Sequence, residues 1–386
     1  MSNTTFTWRR VAAMGAVAAL SFGALTACSS ERGDSGSTGD ASADGGAASA
    51  DPGDVLVGIA MPTKSLERWN RDGAHLEELL KDDGFSTSLQ YADNKVDQQI
   101  SQVENMINDG ADILVVASID GTALAPVLQT AADAGITVIA YDRLINGTDN
   151  VDYYATFDNY GVGQMQGEFI VDQLDLENTT ETYNLEPFAG SPDDNNAKFF
   201  FAGAWDVLQP YVESGTLVVP SGKAPASDDD WQSIGIQGWS SDTAQSEMEN
   251  RLNSFYSGGE KVDVVLSPND SLALGIAQAL AGAGYTPGDG YPILTGQDAD
   301  KANVLNMLAG KQAMTVWKDT RTLGDQVATM VSEIAAGQEV TVNDTESYDN
   351  GNKVVPTYLL PPQVITPDTV NVLVDSGFYT AADLGL

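Results

Sequence analysis

The chain has one cysteine and one histidine in 386 residues. A lone thiol cannot form a disulfide framework within the chain, and it leaves no Cys-based metal site. Positive charge is scarce as well: 18 Lys and Arg stand against 55 Asp and Glu, a formal net charge of −37. A surface of that sign repels phosphate backbones, so nucleic-acid binding is excluded as a function class. The acids read instead as the solvated skin of an extracellular protein. There is no glycine-rich phosphate loop, no nucleophile elbow and no metal-ligand spacing. His75 falls in the first predicted helix and reads as a surface residue.

Long apolar runs are missing except at the start. Arg9 and Arg10 precede an Ala-rich apolar stretch from Val11 to Ala24, followed by Leu25-Thr26-Ala27-Cys28. That stretch is shorter than the roughly 20 residues a bilayer span requires, so it reads as a cleaved export signal. Leu-Thr-Ala-Cys resembles a bacterial lipobox, whose cysteine takes a diacylglyceryl chain and becomes the first residue after cleavage. Thr7-Trp8-Arg9-Arg10-Val11 is a weak twin-arginine match, and the general export route is favoured. Ser29 to Gly53 is Ser, Gly, Ala and Asp with scarcely an apolar side chain, a composition that cannot bury enough surface to order itself. The folded part is expected from Asp54 to Leu386, about 330 residues, which is too large for one small core and implies two lobes.

Beyond the tether, short β-branched runs alternate with longer helical segments. Val55–Ala60 reads as a buried strand, Trp69–Asp83 as a helix, and Ser88–Tyr91 as a strand. Val96, Ile100, Val103 and Ile107 mark one helix face. Ile113–Ala117 is a strand, Ala123–Ala134 a helix and Ile136–Ala140 a strand. The alternation restarts with a helix at Tyr160–Leu174, a strand at Tyr183–Glu186 and a helix at Asn196–Ser214. Strands at Val262–Leu266, Ile293–Thr295 and Met314–Trp317 follow, separated by helices at Ser271–Ala283 and Lys301–Leu308. Two successive units of this kind give an α/β protein with two Rossmann-like lobes, each with a parallel sheet covered on both faces. In such sheets ligands bind beyond the carboxyl ends of the strands.

The loops at those ends concentrate charged and amide side chains: Leu66-Glu67-Arg68-Trp69, Tyr141-Asp142-Arg143, Gly190-Ser-Pro-Asp-Asp-Asn-Asn-Ala197, Ser267-Pro-Asn-Asp270, Gly296-Gln-Asp298 and Trp317-Lys318. Asp and Asn cap helices in any α/β protein, and Asp194 and Asp270 are the two most open to that role. Six such loops at one sheet edge exceed what capping explains.

Ser65–Trp69, Ala140–Arg143, Gly190–Ala197, Gly296–Asp300 and Val354–Leu360 strongly resemble, in order, the xylose-binding and multiple-sugar-binding receptors of bacterial ABC importers, which are type I periplasmic binding proteins. The resemblance covers Val55 to the C-terminus. It implies two lobes joined by a three-segment hinge and closing on one free aldose, xylose or a wider set including glucose, galactose and arabinose. Carried over by motif, the sugar-contacting positions are Arg68, Trp69, Arg143, Asp194, Asn196, Asn269, Asp298 and Lys318, with Trp239 as a second stacking ring. No cofactor and no metal are implied. The partners implied are an ABC permease with its ATPase, and the membrane through the lipid on Cys28. The receptor would act as a monomer, outside the cytoplasm on the outer face of the cell membrane or in a periplasm. An alternative role is a sugar-sensing co-receptor for a membrane histidine kinase or chemoreceptor.

The expected organisation is then a signal peptide at 1–27, a lipidated tether at 28–53, a first lobe of 54–158 plus 318–342, and a second lobe of 159–317 plus 343–386. Crossings are expected near Thr156–Asn159, Trp317–Asp319 and Val340–Glu346. A glycosidase reading of Asp142 and Asp298 is disfavoured because each neighbours a cation (Arg143, Lys318), which depresses an acid's pKa instead of raising it. A transcriptional repressor on the same core is excluded by the export signal and the lack of a basic helix-turn-helix. Since a single thiol would carry the lipid, Cys28→Ser should move the protein from the membrane fraction to the soluble fraction. A variant that stays quantitatively membrane-bound on fractionation overturns the lipoprotein reading.

Overall fold

The computed structural model describes residues 50–386, apart from Asp289 and the side chains of Asp228 and Asp229. The expected signal peptide, Cys28 and most of the expected tether lie outside the described residues. The Ala50 amide donates to the Ala335 carbonyl at 2.8 Å and Pro52–Asp54 forms a 3-10 turn. Residues 50–53, assigned by composition to the tether, are therefore part of the fold. Among the described residues no helix is long and apolar enough to cross a membrane.

The first lobe begins β1 (Leu56–Met61), α1 (Glu67–Asp82), β2 (Ser86–Tyr91), α2 (Val96–Asn108), β3 (Ile113–Val116), α3 (Ala125–Asp133), β4 (Thr137–Tyr141) and β5 (Tyr153–Phe157). The second contains α4 (Asn159–Leu174), β6 (Tyr183–Pro187), α5 (Asn195–Ser214), β7 (Leu217–Val218), α6 (Ser241–Phe255), β8 (Val264–Leu266), α7 (Asp270–Gly282), β9 (Ile293–Leu294), α8 (Lys301–Leu308) and β10 (Thr315–Trp317). Then come α9 (Thr320–Ala335), β11 (Thr357–Leu360), β12 (Gln363–Ile365), α10 (Asn371–Asp375) and α11 (Ala381–Leu384).

One sheet runs β11-β5-β4-β3-β1-β2 and the other β7-β6-β8-β9, with every pair parallel. A bridge from Gln297 to Val316 attaches β10, which pairs antiparallel with β12. All four side chains of β3 are buried, as a strand covered on both faces requires. Strand order reverses beside β1 in one sheet and β6 in the other. Those switch points open the crevice in which such folds bind ligands.

The chain leaves the first lobe after β5 at Asp158 and returns at Lys318–Asp319, where α9 packs against α1. It crosses last at Pro361–Pro362, between β11 in the first sheet and β12 beside β10. This corrects the expectation that 343–386 belongs wholly to the second lobe with a crossing near Val340–Glu346. The intervening segment is held on the first lobe by long-range contacts. Asp344 and Thr357 exchange backbone bonds at 3.0 and 2.8 Å, the Asn350 amide donates to the carbonyls of Ile145 (3.1 Å) and Thr148 (2.8 Å), and Tyr348 packs edge-on to Tyr154 at 5.2 Å. His75 is also not a plain surface residue: it is half-buried between α1 and α9, with Nε2 3.1 Å from Asp325.

Helices α4 and α5 touch backbone to backbone. A Cβ on Gly163 would lie 2.0 Å from the Phe200 carbonyl oxygen, and one on Gly203 would lie 2.1 Å from that of Tyr160. Glycine is costly inside a helix, by about 1 kcal/mol relative to alanine, so its presence here reflects close approach. The contact matters for the site because α5 begins at Asn195 and carries the cleft residues at its first turn. Gly163→Ala and Gly203→Ala should each destabilise by about 1–3 kcal/mol through overpacking. Gly282→Ala, where a Cβ meets open space, should be neutral or stabilising. Thermal denaturation of the three variants checks the contrast.

Candidate functional site

Between the lobes lies a narrow cavity lined by side chains of both. All nine positions singled out in the sequence line it. Eight of them follow the carboxyl end of a strand or open the helix after it. Arg68 and Trp69 open α1 after β1, and Arg143 follows β4. Asp194 and Asn196 straddle the start of α5 after β6, Asn269 precedes α7, Asp298 follows β9 and Lys318 follows β10. Trp239 arrives from the short 3-10 turn before α6.

The charges pair across the cleft. Arg68 donates from Nη2 to Asp142 and from Nε to Asp72 (3.2 Å), and its Nη1 is 3.5 Å from Asp298 of the second lobe. Lys318 Nζ, on the hinge crossing, is 3.1 Å from the same Asp298 oxygen. Arg143 Nε lies 3.0 Å from Asp194 Oδ2, while its Nη1 donates to the Ser118 carbonyl at 3.0 Å. The partner of Asp142 is thus Arg68, where neighbourhood in sequence had pointed to Arg143. The two guanidiniums sit 4.5 and 5.0 Å from the Trp69 ring. Trp239 Nε1 donates to Asp194 at 3.1 Å, and Asn196 Nδ2 donates to the Asp142 carbonyl at 2.7 Å.

Burial raises the Asp142 carboxyl, but the Arg68 guanidinium and the Lys318 ammonium outweigh it and hold the group below the usual carboxylate range. That is the wrong direction for a general acid. At Asp194 burial wins over Arg143 and the shift is upward. Asp300, at the cavity edge, is pushed up to about 7 by burial and by the neighbouring Asp298.

Asp194 does cap its helix, accepting from the Asn196 amide at 3.0 Å, yet the same side chain meets Arg143 and Trp239. At α7 the cap is Asn269, whose Oδ1 accepts from Leu272 N at 3.1 Å. Asp270 is instead a buried hub: its carboxylate accepts from Gln312 (2.8 Å), Thr315 (3.1 Å) and the Asp300 amide (2.9 Å), fixing the loop that carries Asp298. Gln166 of α4 ties the same region by donating to the carbonyls of Pro268 (3.2 Å) and Gly296 (3.0 Å). Asp142, Trp239 and Asp298 have φ of 62°, 54° and 97°. These left-handed conformations cost on the order of 1–3 kcal/mol each and cluster at functional sites. A Cβ at Gly190 would fall 2.1 Å from the Trp239 ring, so only glycine lets the indole lie on that loop.

The cavity also takes in Leu66, Asp142, Phe200, Ser271, Gln297 and Asp300. Four of these lie inside the strings quoted from the sequence; Asp142 is the first position after β4 and Gln297 the third after β9. Phe200 and Ser271 sit on α5 and α7 past their caps, and no loop signal reaches them.

Residues 57–339 match the family model described as periplasmic binding protein domain. The chain is 49% identical over 330 residues to the multiple sugar-binding periplasmic protein SbpA of Azospirillum brasilense, covering 84% of this chain and 90% of that one. It is 36% identical to the D-xylose-binding periplasmic protein of Escherichia coli, with 86% and 93% covered. A crystal structure of an ABC transporter solute binding protein from Clostridium phytofermentans with bound β-D-glucose superposes with a TM-score of 0.81 at 53% identity, covering 85% of this chain and 99% of that one. With its two parallel sheets, three crossings and cleft between strand ends, this chain belongs to the periplasmic binding protein family and has the type I fold.

Proposed function

We propose that the protein is an extracytoplasmic receptor that captures one aldose between its lobes and delivers it to an ABC importer, tethered to the outer face of the membrane through a lipid on Cys28. The observation that carries the reading is the composition of the cavity wall. Three cations, four carboxylates and three amides from both lobes and a hinge crossing surround the space between the lobes, with two indoles beside them. A pyranose presents a rim of hydroxyls, each donor and acceptor, and two flatter C–H faces. Carboxylates accept, guanidinium and ammonium donate, and amides do both, so this ring can satisfy the whole rim with charge-assisted bonds. The planar forks of Arg68 and Arg143 suit vicinal hydroxyls, and Trp69 and Trp239 can cover the C–H faces. The relatives named for xylose and multiple sugars, and the neighbour holding β-D-glucose, support a neutral aldose as the ligand.

Closure is a population shift: a sugar bridging both lobes binds the closed state better and draws the equilibrium toward it. The closed surface is then what the permease recognises. Chemistry on the sugar is not part of this reading, because the relatives carry the names of binding and transport proteins and the Asp142 carboxyl is tuned away from acid catalysis.

Arg143→Ala should cost roughly 2–4 kcal/mol of sugar affinity, since it leaves the buried Asp194 carboxylate unpaired as well as removing a donor. Calorimetry giving an affinity within about threefold of the parent would mean this loop is not part of the site. Titrating residues 50–386 with xylose, glucose, galactose and arabinose should change tryptophan fluorescence saturably for at least one sugar. The sugar recovered after hours should be unchanged by NMR. Turnover of any of them overturns the receptor reading, and silence across the panel overturns the aldose assignment.

A further inference from the structure

A second set of contacts joins the lobes outside the cavity. The turn after α10, Ser376–Tyr379, belongs to the second lobe. Tyr379 is buried in a cluster with Ala299, Val304 and Leu384, its hydroxyl donates to the Ala299 carbonyl at 2.9 Å, and Phe378 packs edge-on to Trp317 at 5.4 Å. Two arginines of the first lobe reach this turn. Arg71 of α1 donates from Nη1 to the Tyr379 hydroxyl at 2.7 Å and places its guanidinium 4.6 Å from the Phe378 ring. Arg321 of α9 donates from Nη1 to the Ser376 carbonyl at 3.1 Å and sits 5.2 Å from the same ring. Both guanidiniums are held from behind, Arg71 by Glu67 at 3.1 Å and Arg321 by Asp319 at 2.8 and 2.7 Å. None of Arg71, Arg321, Phe378 and Tyr379 lines the cavity.

We propose that this pair of arginines on the Phe378–Tyr379 turn is a latch that sets the balance between open and closed lobes, and thereby tunes sugar affinity without touching sugar. The proposal rests on the receptor reading for its effect on affinity, but not for its effect on lobe closure. Opening the cleft must separate α1 and α9 from the turn, losing the hydrogen bonds of Arg71 to the Tyr379 hydroxyl and of Arg321 to the Ser376 carbonyl, three cation–π contacts, and the 3.8 Å ion pair of Arg71 with Asp300. Contacts made only in the closed state stabilise that state by the same amount whatever the ligand. A latch therefore has a signature that cavity residues lack: weakening it should scale the affinity of every sugar by one common factor.

The test uses Arg321→Met, which keeps the aliphatic stem and touches no cavity residue, and Tyr379→Phe, which keeps the ring in its cluster and removes only the hydroxyl. Each should raise Kd by about three- to tenfold for xylose and for glucose alike, given the usual strengths of such contacts. Small-angle scattering of the sugar-free protein should show a larger radius of gyration than the parent. Unchanged affinities with unchanged scattering overturn the latch, and so does a loss that differs between the two sugars, which would place these residues in ligand recognition. If the parent binds neither these two sugars nor galactose nor arabinose, the aldose assignment fails by itself. The scattering comparison then still decides: an increase in the variants supports the latch and no increase overturns it.

Discussion

Asp298 is the carboxylate that joins the two lobes and the hinge crossing in one ion-pair network. Its Oδ1 faces Arg68 of the first lobe at 3.5 Å and Lys318 of the hinge at 3.1 Å, and Arg68 continues the chain of alternating charge to Asp142 and Asp72. Removing such groups from water costs several kcal/mol per ion, and mutual attraction repays it only when geometry and hydrogen bonding are good. Stability alone would be served as well by apolar packing. The arrangement makes sense where the same groups must present lone pairs and protons to a polar ligand, and where the lobes must separate again.

Holding those charges in register takes structure that never meets the cavity. The loop of Asp298 adopts left-handed backbone, and its strain is offset by the buried Asp270 carboxylate and by Gln166, which fix it from behind. Trp239 depends on the missing Cβ of Gly190, and the first turn of α5 depends on the glycine contacts with α4. All of these supports lie within the second lobe, so its half of the site is built without the first.

Much of this was legible in the sequence because it is local. Continuous β-branched runs such as Ile113–Val116 read as buried strands whatever they pair with, and the residue after a strand end is at the cleft wherever the sheet is parallel. That is why the loops holding Arg68, Arg143, Asp194, Asn269, Asp298 and Lys318 could be picked from their place after strands, with the residues within them chosen by the family resemblance. Phe200 and Ser271 were not, since a residue past a helix cap has no signal of its own until the helix is aimed.

What the sequence by itself determined is the alternation that makes two α/β lobes and the loops that hold the polar groups. Only the tertiary structure decided that Thr357–Leu360 closes the first sheet beside β5, that Arg68 and not Arg143 pairs with Asp142, and that the C-terminal turn lies under two arginines from the other lobe. Each of these joins residues far apart along the chain. Parallel strands and buried ion pairs select partners by shape and charge in space, and no periodicity along the sequence encodes that choice.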